Sequence, residues 1–257
     1  MEKSLIGKRF SKAIGCYRHE AAAQRKIAGS LIAMMADKTL PRHYDSVLEI
    51  GCGSGLLTRE FLSSYTPDVL YLNDLCSEIS SRDIAEYMAP SPETELNYII
   101  GDAENTALPQ NLDLIISSSV LQWLENPLDF INGNCIKSLN RGGIMAFSIF
   151  GPENLYEVSS LTDIALEYLP LECLCKELCR NFNLIAVKEE KIVMAFESPR
   201  DVLLHLKATG VNGVGEYRWS KGSLLNFLSA YSEKYRLGDG KVHLTYHPYY
   251  MILQKRL

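Results

Sequence analysis

The sequence predicts an α/β fold in which a mostly parallel, seven-stranded sheet carries helices on both faces. Two observations indicate this fold. Short apolar runs and amphipathic segments take turns from Ser46 onward, and a glycine-rich turn at residues 51–55 joins the first apolar run to the first amphipathic segment. Strands that alternate with helices imply right-handed crossovers and a parallel sheet that is covered on both sides.

The first 150 residues supply an N-terminal helix and five of the predicted strands. Residues 3–40 are rich in helix formers with apolar positions at helical spacing, and Pro41 ends this helix. The strands are "SVLEI", "DVLYLND", "LNYIIGD", "LDLIISSS" and "GGIMAFSIF". The helices between them are "GLLTREFLSSY", "CSEISSRDIAEYM" and the stretch Leu121–Leu139.

Beyond Gly151 the alternation becomes less regular. A helix, "LECLCKELCRNF", precedes the sixth strand, "LIAVKEEKIVMAF", and the chain closes with the seventh, "KVHLTYHPYYMILQK". Two helices, "SPRDVLLHLKATG" and "SKGSLLNFLSAYSEKY", lie between these strands. We interpret residues from about 198 to 236 as a helical insertion that interrupts the strand pair at the end of the sheet and covers a site.

The composition limits the classes of protein to consider. Of the 257 residues, 47% are apolar and 22% are charged, which is typical of a globular protein. No uncharged apolar run approaches the roughly 18–20 residues of a membrane span, and the N-terminal stretch lacks the apolar segment of a signal peptide. The odd number of cysteines, seven, favours a reducing cytoplasm. The net charge of −5 argues against nucleic acid as a partner.

The glycine-rich turn reads E-x-G-x-G-x-G, from Glu49 to Gly55. A nucleoside triphosphate loop would need a lysine after its last glycine, and none is present. The dinucleotide fingerprint of NAD-dependent dehydrogenases would need glycine at position 56, which is Leu56. The observed form resembles the loop of class I S-adenosylmethionine-dependent methyltransferases, a Rossmann-like family whose glycines let the backbone pass close to the ligand. A tight turn without a ligand is the alternative.

Two acidic residues strengthen the cofactor interpretation. Asp74 ends the second predicted strand, about 20 residues after the loop, where a carboxylate can accept two hydrogen bonds from ribose hydroxyls. Asp102 and Ala103 end the third strand, where the family binds adenine through an acidic side chain and the next backbone N–H. Either aspartate alone is as well explained as a helix N-cap. Together, at the carboxyl ends of successive parallel strands, they indicate S-adenosylmethionine.

Several longer motifs resemble a narrower family, the malonyl-acyl carrier protein O-methyltransferases of biotin synthesis. These motifs are "RFSKAIGCYRHEAAAQRKIA", "SSSVLQWLENP", "LKATGVNGVG" and "LTYHPYYMI", spread over essentially the whole chain. The resemblance implies methyl transfer to the free carboxyl of a malonyl thioester on acyl carrier protein, and possible use of malonyl-coenzyme A as a further acceptor. It also implies one domain over residues 1–257, with a helical cap at 1–44, a cofactor-binding core at 45–150 and a substrate side at 151–257.

The resemblance, together with the positions of residues at strand ends and in the insertion, predicts a set of site residues; Phe150 and Arg218 are predicted from position alone. The cofactor site is predicted to contain Gln24, Glu49, Gly51, Cys52, Gly53, Gly55, Asp74, Leu75, Asp102, Ala103 and Ser118. The substrate site is predicted to contain Tyr17, Gln122, Trp123, Phe150 and Arg218, and the catalytic residues are predicted to be Tyr17 and Trp123. No metal is expected, because Cys173, Cys175 and Cys179 lack a matching second pair of ligands and have core-like neighbours.

The chemistry of that acceptor agrees with the residues at hand. A malonyl carboxyl has a pKa of about 4 or below, so it is ionised at neutral pH and needs no general base. An acidic carrier would need a local basic face, and Lys176 with Arg180 and Arg200 with Lys207 are spaced to share helix faces. Two alternatives stay open: a methyltransferase of this fold acting on another small carboxylic acid or a quinone precursor, and a non-catalytic cofactor- or partner-binding protein.

Overall fold

The computed structural model describes residues 7, 20–38, 40–80, 82–162, 166–210 and 219–256. Nine strands run through these residues. They are β1 (His43–Ile50), β2 (Thr66–Asp74), β3 (Glu95–Ile100), β4 (Leu112–Ser118), β5 (Leu139–Phe150), β6 (Phe182–Glu189), β7 (Ile192–Phe196), β8 (Val242–Tyr246) and β9 (Pro248–Lys255).

The α-helices of the described residues lie mostly where the sequence predicts them. They are α1 (Ala22–Asp37), α2 (Leu56–Leu62), α3 (Arg82–Met88), α4 (Pro127–Phe130), α5 (Ile136–Ser138), α6 (Tyr156–Thr162), α7 (Leu171–Leu178), α8 (Pro199–Ala208) and α9 (Lys221–Lys234). A π-helical turn, Ile131–Cys135, joins α4 to α5. Helix α6 was not predicted. None of the described helices combines the length with the apolar character that crossing a membrane requires.

The main sheet has seven strands in the order β3-β2-β1-β4-β5-β9-β6. Strands β1 to β5 are parallel, and β9 runs antiparallel to both of its neighbours. The predicted fold class is therefore confirmed. Because the chain order reverses between β1 and β4, the carboxyl ends of these two strands form the point at which open α/β sheets bind ligands.

Both faces of the sheet are buried, as a parallel sheet requires. Val47 of β1 packs in one apolar cluster with Ile27 of α1 and Val202 of α8. The next residue, Leu48, points to the opposite face and packs in a second cluster with Leu174 of α7. The clustering of α1 and α8 on one face brings the N-terminal helix and the inserted helices to the same side of the sheet.

The last two predicted strands are each broken in two, which the sequence prediction missed. The segment 184–196 divides between β6 and β7, and the segment 241–255 divides between β8 and β9. Strands β7 and β8 pair with each other in a separate two-stranded sheet. Pro248 has no backbone N–H to donate and begins β9, which is where a sheet tolerates proline. The inserted helices α8 and α9 are thus carried on a two-stranded ribbon rather than on the main sheet.

Candidate functional site

A cleft opens at the carboxyl ends of β1 to β4. Its empty volume, counted to its open mouth, is about 1100 Å³. Ten of the eleven residues predicted to bind the cofactor line this cleft: Gln24, Glu49, Gly51, Cys52, Gly53, Asp74, Leu75, Asp102, Ala103 and Ser118. The eleventh, Gly55, lies at the start of α2 and is not among the lining residues.

The three glycines of the loop have different structural roles. All have positive φ, at +71° for Gly51, +50° for Gly53 and +81° for Gly55. A Cβ on Gly51 would collide with the side chain of Val120, and one on Gly55 would lie 2.6 Å from Cγ of Met88. At Gly53 the nearest atom to such a Cβ is Oδ2 of Asp74, at 3.9 Å. The protein itself excludes side chains at the first and third glycines, whereas at Gly53 the free space belongs to the cleft.

Asp74 joins the end of β2 to the glycine loop. Its Oδ2 accepts a hydrogen bond from the backbone N–H of Gly53 at 2.8 Å, and its Oδ1 accepts one from the N–H of Cys76 at 2.9 Å. Burial raises the pKa of this carboxyl above its ordinary value, while both hydrogen bonds oppose the rise. Each carboxylate oxygen has a second lone pair, so Asp74 can accept from a ligand without releasing the loop.

Glu49 is buried at the end of β1, beside the cleft. Thr58 of α2 donates its hydroxyl to Oε2 of Glu49 at 2.7 Å. Burial raises the pKa of Glu49 to about 8, with a smaller contribution from the negative charge of Asp74. The side chain is therefore largely neutral at pH 7 when the cleft holds no cation, and its affinity for a proton makes it sensitive to positive charge placed there.

Asp102 follows β3 and organises the turn after it. Its Oδ1 accepts from the N–H of Glu104 at 3.1 Å, and its Oδ2 accepts from Nδ2 of Asn105 at 2.6 Å. The same carboxylate lines the cleft together with Ala103. No helix lies between Asp102 and β4, a stretch that the structure describes in full, so the alternative of a helix N-cap is wrong for this residue, whose carboxylate instead stabilises a turn. A contact to a ligand at its other lone pairs is compatible with this turn.

Three polar side-chain atoms at the cleft are buried and have no hydrogen-bond partner among the described residues. They are Oε1 of Gln24, Oγ of Ser54 and Oγ of Ser119. Gln24 is a residue of α1 and is only 5% exposed. Buried polar groups nearly always have a partner, so these atoms indicate a polar ligand. Gln24 Oε1 can accept a hydrogen bond, and the hydroxyls of Ser54 and Ser119 can donate or accept one. These groups fit a ligand that carries an ammonium group and hydroxyls.

The predicted substrate residues are less closely grouped. Trp123 lines the cleft. Gln122 donates its Nε2 to the carbonyl oxygen of Ser119 at 2.7 Å, and its Oε1 is buried without a partner among the described residues. Phe150 is buried and does not line the cleft. Its ring packs beside that of Tyr246, with the two ring centroids 6.0 Å apart. Tyr17 and Arg218 lie outside the described residues.

The serines at the end of β4, which the sequence already indicates as candidate site residues, form a polar group with Ser148 of β5 that the sequence did not predict. The hydroxyls of Ser118 and Ser148 lie 2.9 Å apart, and Ser148 Oγ also accepts from the N–H of Ser119 at 3.1 Å. Ser119 lines the cleft and has a φ of +59°. The three consecutive serines, 117–119, are visible in the sequence, but nothing in it identifies which of them leaves the extended conformation.

The inserted helix α8 contacts β8 through a buried histidine. Nε2 of His205 on α8 is 2.8 Å from the hydroxyl of Tyr246, whose ring contacts Phe150, and burial lowers the pKa of His205.

Of the predicted basic pairs, Arg200 and Lys207 are exposed on α8. Arg180 is instead paired with Glu177 at 2.6 Å. Cys173 is exposed on α7, and Cys175 and Cys179 are half-buried there.

Comparisons with known proteins agree with this arrangement. A family model described as a methyltransferase domain matches residues 48–147. The malonyl-acyl carrier protein O-methyltransferase of Bacteroides fragilis is 41% identical over 257 residues, and the match covers 99% of this chain and 51% of that protein, so this chain spans about half of its length. The enzyme of the same name from Bacteroides helcogenes is 37% identical over 274 residues, with complete coverage of both chains.

A solved structure shows the same fold. Phosphoethanolamine N-methyltransferase 2 of Haemonchus contortus, in complex with S-adenosyl-L-methionine, superposes with a TM-score of 0.59. The match covers 96% of this chain and 57% of that one, at 15% sequence identity. At this identity the similarity establishes the fold alone.

Proposed function

This chain belongs to the family of malonyl-acyl carrier protein O-methyltransferases, and we propose that it transfers a methyl group from S-adenosylmethionine to the free carboxylate of a malonyl thioester on acyl carrier protein. One observation carries the proposal: a chain that matches members of this family over their full length has its predicted cofactor residues around a single cleft. The product, a malonyl methyl ester, would start the synthesis of the pimeloyl precursor of biotin.

The residues present fit the cofactor. Asp74, at the end of β2, would accept hydrogen bonds from the ribose hydroxyls, and Asp102 with Ala103 would bind the adenine. Oε1 of Gln24 would accept from the ammonium of the methionine part, which would give this buried oxygen its partner. Gly53 leaves space for the ligand next to Asp74. When bound, the cofactor supplies an electrophilic methyl group on a sulfonium, whose sulfur keeps the electron pair when the methyl leaves.

The protein contributes orientation and exclusion of water. The malonyl carboxylate is already ionised at neutral pH, so no side chain has to remove a proton. Charge is neutralised when a carboxylate takes a methyl group from a sulfonium, so an apolar site raises the free energy of the charged ground state more than that of the transition state. Trp123 and Leu124 line the cleft and would keep water out. Tyr17 would orient the carboxylate.

The remaining features of the proposal concern partner and compartment. The carrier-bound thioester is the proposed acceptor, malonyl-coenzyme A is a second candidate acceptor, and neither nucleic acid nor a membrane is a proposed partner. The cysteine content supports a cytoplasmic enzyme. The inserted helices would cover the acceptor.

A methyl-transfer assay tests the proposal. Radiolabelled S-adenosylmethionine is offered with malonyl-acyl carrier protein, malonyl-coenzyme A and free malonate in parallel reactions. We expect a base-labile methyl ester on the carrier-bound malonyl group. The ratio of its labelling rate to that of malonyl-coenzyme A measures how much the carrier protein contributes to the reaction. If cofactor binds but none of the three acceptors is labelled, the substrate is wrong, and a different small carboxylic acid or quinone precursor becomes the better hypothesis. If the cofactor does not bind, the chain is not this enzyme.

A further inference from the structure

Ser119 has a backbone conformation that few residues adopt. It directly follows β4 and has a φ of +59°, in the left-handed region that non-glycine residues rarely occupy. Three hydrogen bonds hold it there. Its N–H donates to both the carbonyl oxygen and the Oγ of Ser148, at 3.2 Å and 3.1 Å, and its carbonyl oxygen accepts from Nε2 of Gln122 at 2.7 Å. Such conformations persist where the surrounding structure enforces them, often at functional sites.

In this conformation Ser119 lies at the edge of the cleft. Its Oγ is buried and has no hydrogen-bond partner among the described residues, and the residue lines the cleft. The neighbouring hydroxyl of Ser118 is satisfied by Ser148, 2.9 Å away. A buried hydroxyl without a partner costs free energy, so a ligand atom that pairs with Ser119 would stabilise both the site and the complex.

The position of Ser119 in the sheet favours a contact with the acceptor over a contact with the cofactor. Most of the proposed cofactor residues lie at the ends of β1, β2 and β3, and one, Ser118, lies at the end of β4, the next strand on the other side of β1. Ser119 is bonded through its N–H to Ser148 of β5, one strand farther from the cofactor residues. On the opposite flank, the side chain of Val120 covers Gly51. Ser119 therefore lies between the glycine loop and β5, where the methyl group would meet its acceptor.

We propose that the hydroxyl of Ser119 donates a hydrogen bond to the malonyl carboxylate and orients it for methyl transfer. This inference rests on the proposed function. The hydroxyl would bind the oxygen that does not attack and that becomes the ester carbonyl, so the hydrogen bond persists from substrate to product. Being neutral, the donor orients the carboxylate without the strong ground-state stabilisation that a cationic partner would add. Gln122 acts as a positioning residue, because its amide fixes the turn that aims this hydroxyl.

Two substitutions separate the hydroxyl from the backbone. Ser119→Ala removes the hydroxyl and keeps a Cβ in the left-handed conformation, whereas Ser119→Gly removes the hydroxyl and relieves the conformation. Asn111→Gly is the matched control, because Asn111 has a φ of +60° immediately before β4, at the end of that strand away from the cleft. For each variant we would measure kcat/KM with malonyl-acyl carrier protein and, by calorimetry, the Kd of S-adenosylmethionine.

If the hydroxyl binds the acceptor, both Ser119 variants lose roughly 10- to 100-fold in kcat/KM, the range expected for one hydrogen bond to a charged group. Their Kd for S-adenosylmethionine and the kcat/KM of Asn111→Gly stay within about twofold of the wild-type values. Wild-type activity of Ser119→Gly, with loss only in Ser119→Ala, would show that the turn matters and the hydroxyl does not. Loss of cofactor affinity in both variants would assign Ser119 to the cofactor and overturn the proposal.

A binding measurement makes the test independent of turnover. Malonyl-acyl carrier protein is titrated into the protein saturated with S-adenosylhomocysteine, with unloaded carrier protein as the reference ligand. We expect Ser119→Gly to weaken binding of the malonyl form and to leave binding of the unloaded form unchanged. Equal effects on both forms would contradict the inference. If wild-type protein shows no preference for the malonyl form and does not methylate it, the proposed function itself fails.

Discussion

The carboxylate of Asp74 accepts the backbone N–H of Gly53 at 2.8 Å, which links the end of β2 to the centre of the glycine loop. The same carboxylate accepts from the N–H of Cys76 at 2.9 Å. An acidic residue that the sequence predicts to bind ribose therefore also shapes the glycine loop. The two functions are coupled, because loss of the carboxylate would remove a ligand contact and leave the N–H of Gly53 without its acceptor.

We predict that Asp74→Ala weakens the binding of S-adenosylmethionine by about 1.5–3 kcal/mol, the range for hydrogen bonds to a charged group. Asp74→Asn keeps an oxygen acceptor for one of the two N–H donors, so its affinity for S-adenosylmethionine should lie between those of the wild type and Asp74→Ala. Calorimetric titration measures the effect. Asp113→Ala is the control, because Asp113 also accepts a backbone N–H, that of Ser46 at 3.2 Å, at the opposite end of the sheet. Unchanged affinity in Asp74→Ala would remove Asp74 from the site.

We predict that the unliganded protein becomes less stable as the pH rises from about 5 to 8. The folded-state pKa of Glu49 is raised from 4.5 to about 8 by burial. Between these values the folded chain holds a proton that the unfolded chain has released, so the free energy of unfolding falls as the pH rises and this loss is complete above the folded-state pKa. Glu49→Gln cannot ionise and should have a flatter profile. Urea unfolding at several pH values tests this, and parallel profiles would exclude Glu49 as the cause.

We predict that Tyr17→Phe lowers turnover more than cofactor affinity. Tyr17 lies outside the described residues, so its role is inferred from the sequence motif. If its hydroxyl orients the malonyl carboxylate, the variant should lose kcat/KM for the acceptor and keep the wild-type Kd for S-adenosylmethionine. Steady-state kinetics and calorimetry on the same preparation compare the two effects. The opposite ranking would place Tyr17 on the cofactor.

We predict that a double charge reversal on α8, Arg200→Glu with Lys207→Glu, raises KM for malonyl-acyl carrier protein severalfold. Both residues are exposed, and Leu204 between them is 55% exposed, which makes a basic face with an apolar centre. Charge complementarity mainly affects association rates, so the effect should shrink at high salt. Lys137→Glu with Arg141→Glu is the matched control, because this exposed pair lies at the start of β5, away from the cleft. Equal effects of both pairs would indicate general charge repulsion rather than docking.

The acceptor side shows where sequence reasoning reached its limit. Phe150 was predicted to contact substrate because it ends β5, but its ring packs against Tyr246, a residue about 100 positions later in the chain. Trp123 was predicted from the same logic and does line the cleft. Strand position limits where a residue lies along the sheet, but it does not determine whether its side chain meets the core or the cleft once a distant segment packs beside it.

The amino-acid sequence by itself determined the order of the first five strands and the helices between them, the class of the fold and the group of residues around the glycine loop. These features depend on local patterns: apolar periodicity, the spacing of glycines and an acidic residue at each strand end. Tertiary structure alone decided three others. It divided each of the last two predicted strands, set the left-handed conformation of Ser119 and left Gln24 Oε1 without a partner among the described residues. Each of these depends on contacts between residues that are far apart in the chain, such as Ser119 with Ser148, and no local pattern encodes such contacts.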